Sequence, residues 1–371
     1  MNHPQRDLLA RVLRTLRERH TLPEVDWDLL IRQARRAGFV ARLAIELDAA
    51  GLLDAVPAAP RRHLEAERHV AEKHNRDVQW EVRCIKTTLA RTGVPIILLK
   101  GAAYLMSGSP AARGRIFADI DIMVPAGSLE QVENALRVGG WGSADLDAYD
   151  EHYYRRWMHQ LPPLSHYSRG TAIDVHHTIV ARTRRLHLNA EKLFAAAIPV
   201  PGDPELKMLA PADMLLHSAA HLLNEGSFQR GLRDLDDMNL LLRHFSAEPG
   251  FWSALIERAA ELDLRRPLYY ALRYTARLLG TPVPTNIQAA HALNDPAAPF
   301  RWFMDALFER ALRPDHASCR DALSRLALLL LYVRAHALLM PPHVLLPHLV
   351  RKAIMRTKAK EDLRKPLKEP N

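Results

Sequence analysis

The sequence predicts an α+β fold, a small mixed β-sheet core set between two helical regions. Three observations predict it. Apolar residues recur at helical spacing in residues 1–93 and again in 206–350. Between them, in residues 94–205, short apolar and β-branched runs are punctuated by Gly and Pro. Two of those runs carry acids at alternate positions, so one face of each can enter a core while the other presents carboxylates. The expected division is therefore a helical region over 1–93, a sheet core over 94–205, a helical domain over 206–350 and a basic tail over 351–371.

Composition sets the outer limits. The chain has 371 residues, 48% hydrophobic and 25% charged, the profile of a globular protein with room for two or three domains. The longest apolar run, residues 326–333, is too short to cross a bilayer. The first sixteen residues carry charge throughout and lack an apolar signal core, so secretion is not expected. Cys84 and Cys319 are far apart and have no metal-type spacing, which points to free thiols in a reducing cytoplasm. A net charge of +9 and a pI near 9.7 admit a polyanionic partner such as nucleic acid. The arginines are spread along the whole chain, however, and that favours plain solubility.

In chain order, Leu8, Leu9, Val12, Leu13 and Leu16 follow helical spacing, and Pro23 breaks that helix. Helices are expected over 26–37 and 40–50, then a long polar one over 61–91 whose few apolar positions include Val70, Trp80 and Ile85. Residues 94–99 read as a buried strand, with Lys100 and Gly101 at its turn into a short helix over 102–106. A second strand spans 119–124, with Asp119, Asp121 and Met123 on one face and Ile120, Ile122 and Val124 on the other. A helix is expected over 126–138, short strands over 153–157 and 164–167, a strand over 171–179 and a short helix over 189–197. In the 171–179 strand, Asp174 and His176 share a face opposite Ile173 and Val175. Pro211 opens a helix carrying His217 and His221 four apart on one side. The helix over 229–245 sets Arg230, Arg233, Asp234, Asp236 and Asp237 beside a leucine stripe, and Leu-rich helices continue to 339.

Chemistry is concentrated in the acidic strands. Asp119 and Asp121 lie about 7 Å apart along a strand, and like charges held that close are costly unless a cation lies between them. That is the geometry of a Mg²⁺ site for phosphoryl chemistry. The alternative is an edge strand with a solvated face, yet Asp is depleted in strands and here two interrupt an Ile/Val run. Gly101 at the preceding turn can present backbone N–H groups to phosphate. His176 and His177 invite a zinc reading, but zinc needs three or four ligands and no compact set is visible. Hydrogen bonding of His176 to the acids or to a substrate phosphate is preferred.

Lys100-Gly101, Arg115 four residues before the Asp119–Val124 run, and later Ile173-Asp174-Val175-His176 together resemble the uncharacterised nucleotidyltransferase family proteins of the DNA polymerase β-like nucleotidyltransferase superfamily. The resemblance covers residues 94–245. It implies a nucleotidyltransferase core in the sheet region. It also implies that Asp119, Asp121 and Asp174 hold two Mg²⁺ ions and carry catalysis, with NTP as substrate. Lys100, Gly101 and Arg115 would bind the nucleotide phosphates, and His176, His221 and Asp237 would line the nucleotide pocket. In this family a helix with the spacing of Asp237-Met238 packs on the catalytic domain; a plain helix-stabilising ion-pair cluster is the alternative. The wider superfamily keeps Gly-Ser at the first turn, where this chain has Lys-Gly, so Lys100 would replace the Ser hydroxyl at the phosphates.

The expected activity is Mg²⁺-dependent transfer of a nucleoside monophosphate, ATP included among the donors, to an acceptor hydroxyl on a peptide, a sugar or a small molecule. Two alternatives stand beside it: a toxin-like transferase acting on tRNA, and a catalytically silent nucleotide-binding scaffold. Removing Asp119 or Asp121 is expected to relieve repulsion and so hold or raise stability without metal.

Overall fold

The computed structural model describes residues 5–22, 24–143, 159–181, 188–288, 293 and 295–339. The strand expected over 153–157 and the basic tail over 351–371 lie outside them. Four helices open the chain: α1 (Leu8–Arg19), α2 (Trp27–Ala37), α3 (Val40–Ala49) and α4 (Ala58–Leu89). α1 buries Leu8, Leu9, Val12, Leu13 and Leu16, the set its spacing selects. Asp26 caps α2 by accepting the Leu29 N–H at 3.1 Å. α4 is less polar in effect than its composition suggests. Val78, Val82, Ile85 and Leu89 form a buried stripe, whereas Val70 and Trp80 stand 54% and 49% exposed. The stripe lets α4 pack against α3 and the elements that follow.

The mixed sheet comprises β1 (Ile97–Leu98), β2 (Asp119–Met123), β3 (Trp141–Ser143), β4 (Leu164–His166), β5 (Ala172–His176), β6 (Ile198–Val200) and β7 (Asp203–Met208). Their spatial order is β3-β4-β5-β2-β1-β7-β6. β2 runs parallel to β5 and β1 parallel to β7, and the other neighbours are antiparallel. This is the α+β arrangement expected, with β3, β6 and β7 added beyond the strands legible from alternation. β2 and β5 are buried through Ile120, Ile122, Ile173 and Val175.

Helices fill the rest: α5 (Lys100–Met106), α6 (Leu129–Val138), α7 (Glu191–Ala196), α8 (Pro211–Asn224), α9 (Gly231–Phe245), α10 (Phe251–Glu261), α11 (Arg265–Leu279), α12 (Thr285–Gln288), α13 (Ala298–Ala311) and α14 (Ser324–Leu339). α8, α9 and α11 pack on one another, and α1 packs on α11, so the first helix rests on the later helices. Buried Arg42 of α3 ties these parts together. It donates to the carbonyls of Ala111 and Arg113 at 2.6 and 3.1 Å, and to Asp236 and Asp237 at 2.9 Å each. Gly114 makes that approach possible: a Cβ there would lie 2.5 Å from the backbone nitrogen of Arg42, at a φ of +63°. Among the described residues, no helix is long and apolar enough to cross a membrane, and Cys84 and Cys319 are free.

Candidate active site

β2 and β5 pair in parallel register with Asp119 opposite Ala172, Asp121 opposite Asp174 and Met123 opposite His176. Directly paired residues of neighbouring strands project to the same side of a sheet, so all three acids and His176 share one face. Asp121 is buried, with Asp119 and Asp174 partly so. His176 is fully buried, its Nε2 2.9 Å from Asp121 Oδ1. Gln160, joined to His176 by an antiparallel bridge, donates its side-chain amide to Asp174 Oδ2 at 3.1 Å. Lys100 adopts a left-handed φ of 42° where β1 turns into α5, and its Nζ lies 3.3 Å from Asp121 Oδ1. A non-glycine residue in that region is strained and needs a reason from its surroundings; the buried ammonium–carboxylate contact supplies one.

The three acids divide electrostatically. Burial favours the protonated form of Asp121, yet Lys100 and the His176 hydrogen bond outweigh it and hold its carboxyl well below the usual range. Asp119 is pushed up by burial and then by Asp121. Asp174 is pushed up to about 7 by burial and by the charges of Asp121 and Asp119. Lys100 is disfavoured by burial but raised on balance by Asp121, Glu225 and Asp119. One acid is thus neutralised within the chain, and two carry repulsion that a cation would relieve.

The acids open onto a cleft of about 480 Å³ that Lys100, Gly101, Arg115, His221 and Asp237 also line; His176 sits behind its wall. Arg115 lies 5.6 and 5.5 Å from the ring centres of Tyr104 and Phe117 and pairs with Asp237. Asp237 is engaged as well by Arg42, so its carboxylate is occupied by two guanidinium groups. His221 Nδ1 lies 2.7 Å from Glu225, one turn further along. Gly101 has a packing reason for being glycine: a Cβ would lie 2.1 Å from the Phe117 ring. Of the α9 acids, Asp234 pairs locally with Arg233 at 2.7 Å, whereas Asp236 and Asp237 answer to distant arginines. Asp236 binds Arg42, 194 residues away, and Arg17, 219 residues away.

Residues 23–280 match the family described as uncharacterised nucleotidyltransferase. The chain belongs to this family. The match extends beyond the 94–245 stretch that carried the motifs, taking in α2 to α11. No curated protein matches the chain. Among solved structures it is similar to an antigenic nucleotidyltransferase-like protein from Paracoccidioides brasiliensis, at 12% identity and a TM-score of 0.29, over 59% of this chain and 95% of that one.

Membership makes the chain a nucleotidyltransferase and implies an NTP substrate and a divalent cation. The residues present fit a cation. One donor atom each from Asp121, Asp174 and His176 lie within 4.8 Å of one another. Asp119 stands on the same strand face but outside that group, so the tightest trio differs from the all-aspartate one expected. Sequence reasoning missed His159, Gln160, Phe117, Ser218 and Glu225, all of which line the cleft. Glu225 was findable, four residues after His221 near the end of α8. His159 and Gln160 carry no local signal; the bridge to β5 brings them in.

Proposed function

We propose that this nucleotidyltransferase moves a nucleoside monophosphate from an NTP, in the presence of Mg²⁺ or a similar divalent cation, to a hydroxyl on a peptide, a sugar or a small molecule. The supporting observation is the register that sets Asp121 beside Asp174, with Asp119 on the same face and Lys100 lining the same cleft. Asp119, Asp121 and Asp174 would hold one or two cations. A bound divalent cation neutralises phosphate charge and makes an acceptor hydroxyl more acidic.

The chain's own groups account for the rest. Lys100 places a point charge at the triphosphate, and Arg115, held by Asp237 and its two aromatic neighbours, adds a second. The hydroxyl oxygen bonds to the α-phosphorus, the bond to the β-phosphate oxygen breaks, and pyrophosphate leaves. The hydroxyl proton would pass to Asp174, the carboxylate beside the acceptor hydroxyl that the cation makes more acidic. His221, half-buried near the end of α8 and lining the cleft, would face the nucleoside.

The test is incubation of the full chain with each α-labelled NTP and a cell lysate, ATP first, followed by identification of the labelled acceptor. Label on a protein, glycan or small molecule, with stoichiometric pyrophosphate, supports the reading; label on tRNA would shift it to the toxin-like alternative. Neither label nor pyrophosphate with any NTP would leave a silent binding protein.

A further inference from the structure

We infer that one cation of this site, set between the cleft and its buried wall, is held by a mixed set of donors, the carboxylates of Asp121 and Asp174 and the imidazole of His176, and that this position therefore takes Mn²⁺ in preference to Mg²⁺. The inference deepens the nucleotidyl-transfer reading and rests on it for the cation's purpose, while the ligands themselves can be identified without turnover.

Three observations carry it. The first is proximity: one donor atom from each of the three side chains lies within 4.8 Å of the others, and Asp119 does not join the group. The parallel register explains why. Asp121 and Asp174 are direct neighbours, and His176 follows Asp174 by two residues on the same face of β5. The second is that His176 is fully buried with its Nε2 on Asp121 Oδ1, so its imidazole is part of the carboxylate cluster and has no other hydrogen-bond partner.

The third is the set of buried nitrogens around it. His176 Nδ1, His159 Nδ1 and His217 Nε2 are all buried without a hydrogen-bond partner. The His159 and His217 rings lie 5.1 and 6.4 Å from the His176 ring. Buried polar atoms left unpaired call for an explanation. A histidine that gives one nitrogen to a metal donates the N–H of the other to a neighbouring acceptor. With Nε2 on the cation, Nδ1 of His176 carries the proton, and that proton would reach an adjacent imidazole only after a ring turns, since none of the three nitrogens is hydrogen-bonded to another.

Donor chemistry then sets the preference. Mg²⁺ favours octahedral oxygen ligands and keeps several waters, which suits a site of three aspartates. An imidazole in place of one carboxylate shifts affinity toward first-row transition ions, of which Mn²⁺ also accepts carboxylate and phosphate oxygen.

The experiment uses the purified full chain with Mn²⁺ alone, without nucleotide. Pulsed electron paramagnetic resonance reads whether a ¹⁴N nucleus couples to the bound ion, and titration with Mg²⁺ competition gives the two affinities. The expected result is nitrogen coupling and a Kd for Mn²⁺ below that for Mg²⁺. Coupling should vanish and the preference narrow in His176→Gln and persist in His159→Gln, with circular dichroism confirming that each is folded. Bound Mn²⁺ without nitrogen coupling in the unmodified protein overturns the inference, as does coupling that survives in folded His176→Gln. Should His176→Gln fail to fold, the measurement on the unmodified chain decides. Either overturning result leaves the transfer reading standing if label transfer with Mg²⁺ is intact, whereas loss of all transfer with nitrogen coupling present would remove that reading and keep the metal site.

Discussion

On α9, Asp236 and Asp237 are buried against Arg17, Arg42 and Arg115. On β2 and β5, Asp121 meets Lys100 at 3.3 Å, while among the described residues Asp119 and Asp174 have no ion pair. The same side chain is thus used in two ways, and the difference lies in who supplies the counter-charge. In the helical cluster the chain supplies it, from helices far apart in sequence, and burial of Asp236 is outweighed by Arg17 and Arg42 so that its carboxyl sits below the usual range. In the sheet cluster the chain leaves two carboxylates, Asp119 and Asp174, raised by burial and by the charge of Asp121. An acid answered from within holds a fold together. An acid left unanswered, as Asp119 and Asp174 are, adds charge that a cation brought in from outside can meet together with Asp121.

The largest effect should come from breaking the internal cluster. Arg42→Met leaves buried Asp236 and Asp237 with fewer partners and should cost about 3–5 kcal/mol in urea unfolding. A loss below about 1 kcal/mol would place these pairs with exposed surface bridges and erase the contrast. Next comes Lys100→Met, which should weaken NTP binding with the cation present by about 1.5–3 kcal/mol. An unchanged dissociation constant would confine Lys100 to its contact with Asp121.

A sharper comparison lies inside the sheet cluster, and it revises the expectation that removing either acid is harmless to the metal-free protein. Asp121→Ala strands the buried Lys100 ammonium and should cost about 1–3 kcal/mol without metal, while Asp119→Ala should hold or raise stability. Equal effects in thermal unfolding would show that Asp121 is not singled out by Lys100 and His176. Both variants should lose transfer.

The smallest effect concerns pH. The Asp174 pKa is about 7 in the folded chain and about 3.9 when unfolded. Its contribution to stability is therefore present in full below about pH 4 and is lost as pH rises to about 7. Asp174→Asn, which stays neutral, should match the unmodified protein in EDTA at pH 4 and exceed it at pH 8; that rise in pKa corresponds to about 4 kcal/mol, and partial exposure of the carboxyl brings the expected gain down to the order of 1 kcal/mol. A constant difference across that interval would mean that Asp174 titrates normally.

Much of the fold was legible because its signals are local. α1 follows from Leu8, Leu9, Val12, Leu13 and Leu16, and β2 and β5 follow from Ile alternating with Asp. β3 and β6, at three residues each, are too short to show a period, and Pro199 and Gly142 obscure what there is. α4 misled because its buried stripe is a minority of a charged helix.

By itself the sequence determined which residues carry chemistry and which face of each strand they occupy, because side-chain alternation along a strand is a property of the backbone. It also determined the family, since the spacing of Lys100, Arg115, the Asp119 run and the Asp174 run is written along the chain. Only the tertiary structure decided how those groups are paired. Parallel register made Asp121, and not Asp119, the neighbour of Asp174 and His176. The bridge beside His176 delivered His159 and Gln160, and the packing of α1 and α3 near α9 brought Arg17 and Arg42 to its acids. Charge interactions depend on distance and burial, and for groups up to 219 residues apart both are set by folding.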